Sequence, residues 1–194
     1  FGIAGTFSFF PAKTLGCFGD GGAVITNQND IADKVRMLRD HGRDPVDGKV
    51  KRFGFNSRLD NIHAAILNLK LKYYDEDIAR RRTIASIYQE HLCGIGDLLL
   101  PPAPDSDPRY FDIYQNYEIE VKNRDSLRKF LKKRGVETIL QWGGVTVHQF
   151  KALGLDDDLP NTDKMTKSFM LLPIHPMLSD EDVLYICKCI NEFF

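Results

Sequence analysis

Ser8-Phe-Phe-Pro-Ala-Lys13-Thr-Leu-Gly16-Cys-Phe-Gly19-Asp20-Gly21-Gly22-Ala23 is the densest run of chemically suggestive residues in the chain. Its glycines invite comparison with a phosphate loop, but GxxxxGK[ST] is absent and no GxGxxG can be drawn, so a mononucleotide loop is excluded. What remains is one lysine among apolar and small residues, placed before a Gly-rich turn and a strand. Burial disfavours an ammonium ion and lowers the lysine pKa from about 10.4, which suits an amine that forms Schiff bases. Local composition alone fits a surface lysine on a turn at least as well.

Working outward, Ala23 to Thr26 predicts a short strand, and Asn27-Gln-Asn-Asp30 a turn and helix cap. Ile31, Val35 and Leu38 then fall at helical spacing, and the helix ends at His41-Gly42, with glycine supplying a left-handed position. Residues 43–54 predict a loop. From Arg58, Leu59, Ile62, Ile66, Leu69 and Tyr73 keep a helical period, and Ile84, Ile87 and His91 extend it to about Leu92. The Pro-dense segment 100–108 marks a boundary. Beyond it the pattern predicts strands over 116–121, 136–140 and 170–174, a helix over 125–134 closed by Gly135, and a capping box at Ser179–Asp182 opening a terminal helix lined by Val183, Ile186 and Ile190. Alternating strands and helices predict an α/β or α+β small domain on a long connecting helix.

Composition sets the outer limits. The 194 residues carry 26 Lys+Arg and 27 Asp+Glu, a formal charge of −1, with 43% hydrophobic residues. That is a globular chain with no electrostatic case for nucleic acid or an anionic membrane as its main partner. No apolar run approaches the roughly 20 residues that span a bilayer, and a cytoplasmic location is the default expectation. The four cysteines at 17, 93, 187 and 189 predict reduced thiols and no metal site. The chain begins at Phe1 without methionine and enters an apolar run at once, which predicts strand or buried loop and an earlier part that is missing.

The string Ser8-Phe-x-Pro-x-Lys13, with Leu15-Gly16 and Gly19-Asp20-Gly21-Gly22, closely resembles the lysine motif of the pyridoxal-phosphate-dependent nucleotide-sugar aminotransferases, the DegT/DnrJ family. Arg39-Asp-His-Gly42, Gly54-Phe-Asn56-Ser-Arg58 running on to Ala65, and Leu172-Pro173-Ile-His-Pro176 agree with it in order and spacing. The resemblance implies the latter part of a fold type I aminotransferase. Residues 1–92 then hold the remainder of the cofactor-binding large domain and its connecting helices, and residues 93–194 the small C-terminal α+β domain.

By the same resemblance, Lys13 holds pyridoxal 5'-phosphate through its amine and shuttles the proton once released, with pyridoxamine phosphate as the alternate cofactor form. Ser8 matches the hydroxyl on the cofactor phosphate. Asn56 matches the amide that reaches the cofactor phosphate of the neighbouring subunit in a homodimer with shared active sites. Arg58 and His148 are substrate-binding candidates; the Trp142-Gly-Gly run before His148 departs from the family's usual Pro-Leu-His segment. Asp20 fixes a turn or touches substrate, His63 suits a helix-face packing role, and Arg80-Arg81-Arg82 suits a solvated helix face.

The implied reaction moves an amino group, from glutamate, to a keto carbon of a nucleotide-linked sugar in polysaccharide or glycoside biosynthesis, leaning toward the sugar's third carbon. Alternatives are a related sugar dehydratase, whose members carry His in place of this lysine, and a catalytically silent or regulatory dimeric homologue. The family also needs a carboxylate under the pyridine nitrogen, a stacked aromatic ring and a phosphate cradle ahead of the lysine motif. Residues 1–194 alone are therefore expected to bind the cofactor weakly or not at all.

Overall fold

A computed structural model of the chain describes residues 2–155 and 157–194, and the expectation for Phe1 lies outside them. The chain divides into two compact units, Phe1–Asp75 and Glu76–Phe194.

In the first unit, β1 (Gly5–Ser8) and β2 (Gly22–Ile25) form an antiparallel pair with Ser8 opposite Gly22, so residues 9–21 are the connecting loop. α1 (Asn29–Leu38) follows. Thr26 organises its entry, accepting from the Gln28 amide at 3.1 Å and donating to the Ile3 carbonyl at 2.6 Å, whereas the N-cap Gln28 offers no side-chain cap. Past α1, both His41 and Gly42 turn left-handed, at φ 59° and 75°. Gly42 has a second reason to be glycine: a Cβ there lies 1.7 Å from the Arg52 carbonyl oxygen. That close crossing clips 38–42 to 51–57, with His41 N donating to Phe55 O and Ser57 N to Arg39 O, each at 2.9 Å.

The long helix expected from Arg58 to Leu92 is two helices. α2 (Asn61–Leu71) closes through three-residue turns, Lys72 N to Leu69 O and Tyr73 N to Lys70 O, before α3 (Tyr74–Leu92) begins. Buried apolar side chains are sparse in this unit: among its described residues only Cys17 and Leu67. Phe7, Phe18, Phe53, Phe55 and Ile62 are exposed.

The second unit has a contiguous core. Ile84, Ala85, Tyr88 and Leu92 of α3 pack with Tyr117 and Ile119 of β3 (Tyr117–Glu120), Leu127 and Leu131 of α4 (Arg124–Lys133), Met170 of β4 (Phe169–Leu172) and Val183 and Ile190 of α6 (Asp180–Asn191). β3 and β4 pair antiparallel with Tyr117 opposite Leu172. α5 (Pro160–Ser168) leads directly into β4. Because α3 buries its apolar face here, contact places the division at Asp75/Glu76, whereas the sequence places it after Leu92.

Residues 136–140, expected as a strand, supply only one bridge, Ile139 to Leu171, after the left-handed turn at Gly135. The capping box is present: Ser179 Oγ accepts from Asp182 N at 3.1 Å, and Asp182 Oδ2 accepts from Ser179 N at 3.2 Å. Arg81 is not on a solvated face. It is 8% exposed, and its Nη1 donates to the carbonyls of Tyr114, Gln115 and Ile174. Its neighbours also reach protein partners, Arg80 to Asp180 and Arg82 to Asp105. No helix among the described residues is long and apolar enough to cross a membrane.

Candidate active site

The loop 9–21 folds back on itself. Phe9 N donates to Gly21 O, Lys13 N to Phe10 O and Cys17 N to Phe9 O, each at 2.8 Å. Three such bonds in thirteen residues make a compact turn, and Gly16 is where it is tightest, since a Cβ there lies 2.6 Å from Phe10 O and 2.7 Å from Pro11 O. Cys17 is fully buried, with its thiol 3.1 Å from the carbonyls of both Phe9 and Gly19, bridging the two ends of the loop.

Lys13 stands on this turn with its side chain exposed, so the apolar burial expected from its neighbours is not provided by the described residues. The loop fixes the backbone at Lys13 and leaves the amine accessible. Ser8 ends β1, exposed, and its Oγ accepts from Phe10 N at 3.3 Å. That bond uses a lone pair and keeps the hydroxyl proton for an outside acceptor.

Asn56 and Arg58 lie on the segment clipped to the end of α1. Arg58 Nη1 donates to Asp40 Oδ1 at 3.0 Å and Nη2 to Asn56 Oδ1 at 3.3 Å. Arg58 thereby engages the carbonyl end of the Asn56 amide, which leaves the NH2 end to donate. Asp20, Gly21, Arg39, Asn56 and Arg58 line an open groove of about 1010 Å³. Lys13 and Ser8 do not line it. The structure thus collects the candidates in two places of the first unit, Ser8 with Lys13 on the loop and Asn56 with Arg58 along the groove.

His148 belongs to the second unit. It follows Trp142, Gly143 and Gly144, all left-handed, with Trp142 exposed. The His148 side chain is 7% exposed, and its Nε2 lies 2.9 Å from Asp163 Oδ1. A carboxylate only accepts, so Nε2 carries a proton toward Asp163, and Nδ1 lies 3.2 Å from Thr146 Oγ1. Gln149 Nε2 donates to the same Asp163 oxygen at 2.7 Å. His148 is therefore held from two sides inside its own unit.

Four partners were not visible in the sequence: Asp40 for Arg58, Asp163 for His148, and Lys70 and His63 for the lysine loop. Lys70 Nζ donates to Gly16 O at 2.6 Å, and a Cβ on Gly19 lies 2.8 Å from His63 Cε1. Only helical spacing hinted at the last two, since seven residues place His63 and Lys70 on one face of α2.

The sequence profile of the DegT/DnrJ/EryC1/StrS aminotransferase family matches residues 1–191. The chain is 38% identical to the "Pleiotropic regulatory protein" of Geobacillus stearothermophilus, over 100% of this chain and 52% of that protein. It is 36% identical to the dTDP-3-amino-3,4,6-trideoxy-alpha-D-glucose transaminase of Streptomyces venezuelae, over 96% of this chain and 49% of that protein. The crystal structure of a DegT DnrJ EryC1 StrS aminotransferase from Brucella abortus superposes with a TM-score of 0.89 at 34% identity, covering 100% of this chain and 51% of that one. The chain spans about half the length of the curated relatives it matches.

Proposed function

Because the chain belongs to the DegT/DnrJ/EryC1/StrS aminotransferase family, we propose that the whole protein transfers an amino group, from glutamate, to a keto carbon of a nucleotide-linked sugar. The observation that carries this reading is Lys13, an accessible amine on a turn closed by three backbone hydrogen bonds. The donor set fits pyridoxal phosphate: a primary amine for its aldehyde, and a hydroxyl at Ser8 and an amide at Asn56 for its phosphate. When bound, that group supplies the aldehyde and the electron-accepting ring that carry the amino group between donor and acceptor.

This chain's own residues supply binding and proton transfer. Lys13 Nζ takes the proton from the reacting carbon and returns it, which a neutral amine tethered beside the bond is suited to do. Ser8 Oγ–H donates to a phosphate oxygen of its own subunit. Asn56 donates through its NH2 end to the phosphate held by a second copy. Arg58, oriented by Asp40, presents its remaining N–H groups to the substrate's diphosphate. His148, held by Asp163 within its own unit, is the second substrate-binding candidate. A homodimer with shared active sites goes with this role of Asn56, and the exposed Phe53 and Phe55 beside it are available for such a contact. The Streptomyces venezuelae relative, named for a 3-amino sugar, favours amination at the third carbon. We place the reaction in the cytoplasm, where the thiols stay reduced.

A second reading, a regulatory homologue without turnover, is favoured by the name of the Geobacillus stearothermophilus relative. Lys13, Ser8 and Asn56 together weigh against it, since a silent copy has no chemical need of all three, and lysine at 13 weighs against the sugar dehydratase. The deciding experiment is turnover of a keto-sugar nucleotide with glutamate by the whole protein and its Lys13→Ala variant. Product from the wild type and its loss in the variant support amino transfer through Lys13, and undiminished turnover of the variant refutes that role of Lys13. A visible absorbance band that bleaches on adding glutamate separates transaminase from regulator.

A further inference from the structure

The 9–21 loop is gripped from outside by one face of α2. Lys70 Nζ reaches across 54 residues of sequence to the Gly16 carbonyl at 2.6 Å in a partly buried setting. Its ammonium also stands 5.6 Å from the Phe18 ring centroid. A hydrogen bond from a charged donor is about twice as strong as a neutral one, so the Gly16 contact dominates over a ring that is itself exposed. Lysine loses as much rotamer freedom on being fixed as any side chain, and this one gives it up to hold a single carbonyl three residues from Lys13.

His63, two helical turns before Lys70, grips the other end. Its ring occupies the space in which a Cβ on Gly19 would sit, 2.8 Å from Cε1 and 3.2 Å from Nε2. His63 Nδ1 is buried with no hydrogen-bond partner among the described residues, so packing on Gly19 places the ring and no bond to Nδ1 does. Between these two grips lies buried Cys17, whose thiol spans Phe9 O and Gly19 O. The 16–19 end of the loop is thus fixed at three successive points while the Lys13 side chain stays accessible.

We propose that His63 and Lys70 of α2 are positioning residues for Lys13, a clamp that holds the 16–19 end of the loop so that the amine meets its aldehyde partner in one orientation. The clamp rests on the proposed function only in what the amine is for. Neither side chain touches the reacting atoms. Each acts through the loop backbone.

The test uses the whole protein without cofactor, as wild type, Lys70→Met, Lys70→Arg and His63→Ala. Hydrogen exchange of the Lys13 and Cys17 amides reports the loop. Trapping of pyridoxal phosphate on Lys13 with cyanoborohydride, followed against pH by peptide mass spectrometry, reports the amine. Lys70→Met is expected to speed loop exchange about tenfold or more, the loss of a charged hydrogen bond. Exchange in α4 and α6 stays unchanged, and the pH midpoint of trapping shifts. Lys70→Arg restores both, because it keeps a charged donor, and His63→Ala loosens the loop in the same direction. Wild-type exchange and trapping in Lys70→Met overturn the clamp, as does failure of Lys70→Arg to rescue a perturbed Lys70→Met. If Lys70→Met does not fold, Lys70→Gln, with a neutral donor, gives an intermediate exchange rate or overturns the proposal. Absence of trapping on wild-type Lys13 counts against the proposed function, and the exchange measurements decide the clamp independently.

Discussion

Adding one methyl group at Gly16 puts the lysine loop to its most severe test. A Cβ there lies 2.6 Å from Phe10 O, 2.7 Å from Pro11 O and 2.9 Å from the Pro11 carbonyl carbon, against the 3.4–4 Å of ordinary contact. All three atoms are backbone, so no rotamer change relieves the overlap. The turn has to open, and with it go the bonds from Lys13 N to Phe10 O, from Cys17 N to Phe9 O and from Lys70 Nζ to Gly16 O. A neutral bond is worth about 1 kcal/mol and a charged one about 2, so losing two of the first and one of the second costs the closed loop on the order of 4 kcal/mol. At about 1.4 kcal/mol per decade, amide exchange at Lys13 and Cys17 speeds up by roughly a thousandfold. Hydrogen exchange with peptide mass spectrometry measures this directly. Gly2→Ala is the control, because its Cβ meets nothing nearer than Ala4 O at 3.8 Å. Wild-type exchange over residues 9–21 in Gly16→Ala refutes the folded-back turn.

Three more outcomes follow from the second unit. Arg81→Met strips donors from three carbonyls and lowers the unfolding free energy by about 3 kcal/mol, read from urea unfolding. Iodoacetamide at neutral pH modifies exposed Cys93 and spares Cys17, Cys187 and Cys189; burial pushes the Cys187 thiol up to about 12, which removes the reactive thiolate. The Ser179 hydroxyl and amide hold the Asp182 carboxyl below its ordinary range, so this contribution is complete above the unfolded carboxylate pKa of about 3.9 and is lost as pH falls through the lower folded value. The first turn of α6 therefore frays on acidification, and Ser179→Ala, followed by exchange at the Asp182 and Val183 amides, frays it already at neutral pH.

Local signals were legible in the sequence and long-range ones were not. The α6 capping box and the Gly135 stop depend on neighbours within four residues, and each stands within a residue or two of its expected place. The break between α2 and α3 was hidden because the apolar period runs on through Tyr73, while the backbone tightens at Lys72. The 136–140 strand shrank to one bridge because strand residues need a partner, and β4 offers only Leu171 there. Arg81 looked like one of three surface arginines; its acceptors lie 33, 34 and 93 residues away. The site divided in the same way: the lysine motif and its order were plain, but Asp40, Lys70 and Asp163 meet their partners only through the fold.

The central claim is that Lys13 is the amine that carries the cofactor. Whole protein incubated with pyridoxal phosphate, reduced with borohydride and digested, tests it in one measurement. The pyridoxyl label is expected on the peptide containing Lys13, and adding glutamate before the reduction is expected to diminish it. A label on Lys70 or another lysine, or none on any, contradicts the account.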